Sequence, residues 1–131
     1  MKNQTHLAIC TEPFLSLMVS GEKKVESRFS RNKIAPYEKV AKGDLVILKK
    51  SGGEVVGSCV VQKAIFVEIK NKKIFADLKK QYSHVICADA DPHFWSQRMS
   101  ARYASFIWLG KVTQKKITVH SSGRSGWRIL K

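Results

Sequence analysis

The stretch FLSLMVSGEKKVESRFS, residues 14–30, decides the architecture. Phe14, Leu15, Leu17 and Met18 recur at helical spacing, and Gly21 follows as a helix stop. From Lys24 to Ser30 the period drops to two: Val25, Ser27 and Phe29 share one face, and Lys24, Glu26 and Arg28 share the other. A helix therefore runs directly into a strand. Upstream, Thr11 is placed to cap this helix, Glu12 suits its positive end and Pro13 is tolerated in the first turn, which predicts a helix over Glu12–Ser20.

Strand signals dominate on both sides. HLAIC (6–10) reads as a short strand. After a polar loop containing Pro36, the turn Lys42-Gly43-Asp44 leads into DLVILKK (44–50), Ser51-Gly52-Gly53 forms a hairpin turn, and Glu54 to about Val67 returns with a bulge near Gly57. Ile74, Phe75 and Leu78 are spaced for a second helix among Lys70, Lys72, Lys73, Lys79 and Lys80. Residues 83–90 read as irregular, with a short strand at His84–Cys87 as the alternative. Asp91-Pro92 signals a third helix, with Phe94, Trp95 and Met99 inward and Arg98 and Arg102 on one face. Tyr103–Lys111 and Lys116–His120 read as strands, Ser121–Gly126 as a flexible loop, and Trp127–Leu130 as a final strand burying Trp127 and Ile129. The order predicts an α+β fold with a mainly antiparallel sheet curled into a small β-barrel with flanking helices, in a single domain over 1–131.

Charge narrows the function. With 24 Lys+Arg against 10 Asp+Glu, the net charge is +14. Residues 1–65 carry 11 basic and 6 acidic side chains, and residues 66–131 carry 13 and 4. This excess is spread over several elements rather than along one amphipathic helix, which points to a polyanion and away from a membrane surface. No apolar run is long enough to span a bilayer and no secretory leader is legible, so the expected location is the cytoplasm. Cys10, Cys59 and Cys87 are far apart, without a C-x-x-C, and each sits in an apolar stretch, so buried thiols are expected and no metal or other cofactor. His93 and His120 read as surface residues and Asp44 as a turn residue. Phosphate-binding glycine loops and the hydrolase serine motif are absent.

The residues richest in chemistry are G-E-K-K-V-E-S-R, 21–28. The helix stop places Lys23 in a turn beside a strand face that carries Glu26 and Arg28. Such a wall can bind a phosphate or a base edge, or serve acid–base chemistry; the plainer alternative is an internal ion-pair ladder. The spacing Gly21-x-Lys23-x-x-Glu26-x-Arg28 resembles the signature of the ASCH domain family, which has a PUA-like fold. The apolar helix before it, the GDLVIL strand after it (43–48) and Arg124-Ser125-Gly126-Trp127 near the C-terminus extend the resemblance over nearly the whole chain.

That resemblance implies a small β-barrel with a cleft beside the motif, and RNA as ligand class. Members of the family include RNA-binding modules, ribonucleases and hydrolases of N4-acetylcytidine. The last group uses a Lys, a Thr and a Glu. Lys23 matches the Lys, but Glu26 stands where the Thr is expected, and the later Glu has only Glu68 and Asp77 as candidates here. The expected function is therefore recognition of RNA, or of a modified nucleoside within it, through Gly21, Lys23, Glu26, Arg28, Arg31, Lys33, Arg98 and Arg102. The alternative is metal-independent hydrolysis with Lys23 and Glu26 as catalytic residues. Trp95 and Tyr103 are further candidates for stacking on bases.

Overall fold

Residues 2–115, 117–119 and 123–130 are described by a computed structural model. Strand β1 (Thr5–Cys10) leads to helix α1 (Phe14–Ser20), then to β2 (Val25–Ser30), β3 (Leu45–Lys50), β4 (Val55–Glu68), helix α2 (Lys72–Tyr82), β5 (Tyr103–Leu109) and β6 (Trp127–Leu130). The six strands lie in the order β2-β5-β4-β3-β1-β6. The β1–β3 pair is parallel and the other four ladders are antiparallel.

β4 carries the sheet around a corner. Its first half pairs with β3 and its second half with β5, and the register slips once in each half. The first slip leaves Val56 unopposed beside Gly57, where the sequence predicts a bulge, and the second leaves Gln62 unopposed. The bent sheet wraps an inner core of Ala8, Val46, Leu48, Val61, Ile107 and Leu109, which α1 covers with Leu15 and Met18. Helix α2 packs outside the sheet, and its Tyr82 ring stacks on Phe106 at 3.8 Å between centroids.

β2 and β6 stand at the two ends of the strand order, and among the described residues no backbone ladder joins them. A side chain crosses the gap. Arg28, on β2, donates to the carbonyl of Ile9 on β1 (2.9 Å) and to that of Gly126, just before β6 (3.1 Å).

Several local expectations are corrected. Helix α1 begins at Phe14, not Glu12. Thr11 does not cap it; the longer Glu12 carboxylate reaches the Ser16 N–H (2.9 Å) and hydroxyl (2.8 Å). The helix stops at Gly21 as expected, because that residue takes the left-handed conformation (φ 88°) that turns the chain toward β2. No strand forms at His84–Cys87: the N–H groups of Ile86 and Ala88 are spent on turns, to the carbonyls of Tyr82 and Ser83.

Asp91-Pro92 starts no full helix either. Asp91 accepts from the His93 N–H (2.9 Å), but only a 3-10 turn follows at Ser96–Arg98. Phe94 packs against Phe14 and Phe29, Trp95 against Phe29 and Phe75, and the next five residues offer one apolar side chain, so a longer helix has no stripe to bury. Met99 is therefore 72% exposed rather than inward, and Arg98 and Arg102 do not share a helix face. Ile129 and Cys87 are only half-buried. Residues 117–119 form no strand, and Lys116, His120, Ser121 and Ser122 lie outside the described residues. Among the described residues no helix is long and apolar enough to cross a membrane.

Candidate functional site

The turn after Gly21 delivers Lys23 into the protein rather than onto its surface. The Lys23 N–H bonds back to the Leu17 carbonyl (2.9 Å), and its side chain is 1% exposed. The ammonium donates to the carbonyls of Val25 (2.8 Å) and Ile86 (2.6 Å), and its third proton faces Glu26 Oε1 at 3.3 Å. The ring of Phe14 lies 5.4 Å below it. An ammonium has three protons, and each has an acceptor here.

Glu26 is the centre of the group. Its Oε1 also accepts from the Ser27 N–H (3.0 Å), and its Oε2 accepts from Arg28 Nη2 (3.0 Å). Burial works against its charge, but Lys23, Arg28 and the Ser27 N–H prevail and hold the carboxyl below its ordinary range. Arg28 stacks on the Trp127 ring (5.2 Å) while bridging the sheet ends. Its side chain is 19% exposed, so the triad closes at Lys23 and opens at Arg28.

Beside the triad lies a cleft of about 210 Å³. Phe14, Phe29 and Phe94 form its apolar wall, Glu26 and Arg28 its floor, and Arg98 its far side. Arg98 lies over the face of Phe94 at 3.7 Å and donates to that residue's carbonyl (2.8 Å). It pairs with no carboxylate among the described residues. Cys10 also lines the cleft, but burial pushes its thiol up to about 12, so it supplies no thiolate.

Of the residues singled out by sequence, Lys23, Glu26, Arg28 and Arg98 meet at this cleft, and Gly21 sets the turn that brings Lys23 there. Arg31, Lys33 and Arg102 are exposed and do not line it; Lys33 pairs with Glu38 at 3.2 Å. Trp95 is half-buried and donates to the Ser83 hydroxyl (2.9 Å), and Tyr103 packs on Tyr37. The aromatic wall was missed because its three rings come from α1, β2 and the turn before β5. The signal for Phe29 was its place between Arg28 and Ser30 on an alternating strand.

A second buried polar group was also missed. His6 is fully buried; its Nε2 bonds Asp44 Oδ2 (2.8 Å) and its Nδ1 accepts from the Trp127 indole N–H (3.0 Å). The indole is only a donor, which makes Nδ1 the acceptor and leaves the proton on Nε2. Asp44, beyond its turn role, also accepts from the N–H groups of Gln4 and Ala41, both at 3.0 Å. Burial opposes its charge, yet these bonds hold its carboxyl below the ordinary value.

Comparison with known proteins bears directly on the motif. The family model described as "ASCH domain" matches residues 9–116. The chain belongs to the ASCH domain family. The crystal structure of an ASCH protein from Zymomonas mobilis superposes on this ASCH domain with a TM-score of 0.73 at 12% identity, covering 99% of this chain and 90% of that one. A single-residue variant of the same protein gives 0.71 at 13% identity, covering 98% and 91%. At such identity the likeness is one of fold. Among curated proteins, no match to the sequence was found.

Two depressed carboxylates at the heart of the ASCH domain set its acid stability. Glu26 and Asp44 ionise more readily folded than unfolded, so their stabilisation is complete above the unfolded value, near pH 4, and is lost as pH falls through the lower folded values. Urea titrations are expected to give a flat unfolding free energy between about pH 7 and 5. Below about pH 4 a decline approaching 2.7 kcal/mol per pH unit is expected, the slope for two protons taken up on unfolding. A curve that stays flat to about pH 3 contradicts this.

Proposed function

We propose that this ASCH domain is a binding module for single-stranded RNA, with a base or phosphate seated in the cleft between the Lys23–Glu26–Arg28 triad and Arg98. The observation that carries the reading is Arg98, a half-buried guanidinium stacked on Phe94, facing the cleft and lacking a carboxylate partner among the described residues. A cation so placed suits a ligand phosphate. Arg28 at the open end of the triad adds a second cation, the phenylalanine wall suits a nucleobase, and the Glu26 carboxylate on the cleft floor suits an amino group. The +14 charge supplies attraction along the backbone of a longer strand. We also propose that the sheet is a curled, barrel-like one; the Arg28 bonds from β2 to Ile9 and Gly126 support this.

Hydrolysis is the second reading, favoured by an ionised Glu26 3.3 Å from Lys23 in a cleft. It asks more of the structure, since Lys23 must give up one of three acceptors before it can move a proton. One experiment addresses both readings: labelled single-stranded RNA is titrated at several salt concentrations, then recovered and sized. Affinity should fall steeply with salt, the RNA should remain intact, and Arg98→Met, which keeps the packing on Phe94, should weaken binding several-fold. Absent or salt-independent affinity defeats the binding reading. RNA cut by wild type but left whole by a Glu26→Gln variant that circular dichroism shows to be folded favours the hydrolase.

A further inference from the structure

A second cavity, of about 380 Å³, lies on the other side of the Gly21–Lys23 turn. It is larger than the motif cleft and shares only Lys23 with it. The end of α1 forms one wall and the β4–β5 corner the other. Lys24 and Lys111 flank it, Met18 and Leu109 give it an apolar side, and Gln62 reaches in from β4.

Three observations make this more than a gap in the packing. The ladder slip leaves Gln62 unopposed between Val61, paired with Leu109, and Lys63, paired with Trp108. Bulges re-aim side chains in this way, often at binding sites. The Gln62 carboxamide lies beside Gly110, is exposed at the cavity, and makes no hydrogen bond to protein among the described residues. Finally, Lys24 and Lys111 are both exposed, neither pairs with a carboxylate among the described residues, and the backbone holds them at one rim through the Leu109 N–H bond to the Lys24 carbonyl (2.8 Å).

We infer that this cavity is a second nucleotide site, in which Lys24 and Lys111 take a phosphate and the Gln62 carboxamide reads a base edge. The chemistry is that of a nucleotide: two unpaired cations for the phosphate, one amide that both donates and accepts for the base, and an apolar wall for its ring. The volume is within the range of small-ligand sites. The inference rests on the RNA-binding reading and gives the strand a path. Phe14 lines the first cleft and Met18 to Gly21 the second, so the two sites lie at opposite ends of α1, about 9 Å apart at 1.5 Å per residue.

The test uses labelled oligo-A, oligo-C and oligo-U with four proteins: wild type, Lys24→Ala/Lys111→Ala, Gln62→Ala and Arg98→Met. The altered lysines and glutamine are exposed, so these variants should fold, and circular dichroism checks it. The double lysine variant should lose about tenfold in affinity and flatten the log–log salt slope by about 0.7, the contribution of one single-strand phosphate. Gln62→Ala should keep the slope but narrow the differences in affinity among the three oligomers. If the lysine variant matches wild type while Arg98→Met binds more weakly, the second site is overturned and the first stands. A changed slope with base preference intact in Gln62→Ala also overturns it, leaving general charge alone. If wild type binds none of the oligomers, both readings fall.

Discussion

Lys23→Met is expected to reduce the unfolding free energy by about 3–5 kcal/mol, the usual cost of removing one partner of a buried ion pair. Methionine fills much of the same space, so the loss is electrostatic more than steric. Without the ammonium, the carbonyls of Val25 and Ile86 lose their donor, and Glu26 keeps Arg28 as its paired cation. For a chain of this length the midpoint of thermal unfolding should fall by about 10–20 °C. Lys23→Arg should not restore it, because a planar fork cannot reach three acceptors arranged around a single ammonium nitrogen. A loss below about 1 kcal/mol by urea denaturation shows that Lys23 is dispensable to the fold, and its burial then needs a functional account. The result also affects activity assays: lost turnover in a Lys23 variant implicates chemistry only after its fold has been shown intact.

Asp44→Ala is expected to cost about as much, roughly 3–5 kcal/mol, by a different route. The substitution strands the His6 Nε2–H and the N–H groups of Gln4 and Ala41, and bonds to a charged acceptor are worth about 1.5–3 kcal/mol each. Water entering the space left behind recovers part of this, which keeps the total below the sum. Asp44→Asn should fall between the two, since its amide keeps one acceptor but turns a donor toward other donors. Near-ultraviolet circular dichroism offers a second measurement, because Trp127 depends on His6 for its partner. An unchanged tryptophan signal together with unchanged stability in Asp44→Ala removes the network from any structural role.

The two networks also show what a single sequence can and cannot reveal here. β1, β3, β4 and α2 were legible because each has the apolar period of its element, and the hairpin turn at Ser51–Gly53 is written in its glycines. The nearness of Glu26 and Arg28 followed from their spacing on one strand. What the ammonium of Lys23 does was not legible, because one acceptor is the carbonyl of Ile86, 63 residues away, and the carbonyl that Arg28 holds at Gly126 is 98 residues away. The motif allowed either a binding wall or an internal ion-pair ladder; Lys23 and Glu26 form the ladder, while Arg28 stays open to the cleft. His6 stands inside an apolar strand, a polar residue where none is needed, and that was the available sign of a buried partner. The stretch from Ser83 to Arg102 was misread because Asp91-Pro92 is a sound local helix signal; the packing of two adjacent aromatic rings outweighed it.

The strand order of the sheet has a consequence for how the chain reaches its native state. β1, near the beginning, lies between β3 and β6, and Trp127 meets His6 across 121 positions of sequence. Almost none of β1's pairing is local, so an early hairpin cannot nucleate it. Loop-closure entropy must be met before the long-range contacts form, and topologies of this kind fold over milliseconds to seconds rather than microseconds. During synthesis β1 emerges before both of its neighbours, and it waits for β6, the last of the six strands, to complete its pairing. During that interval its apolar edge, LAIC, is the part of the nascent chain most in need of protection from other strands.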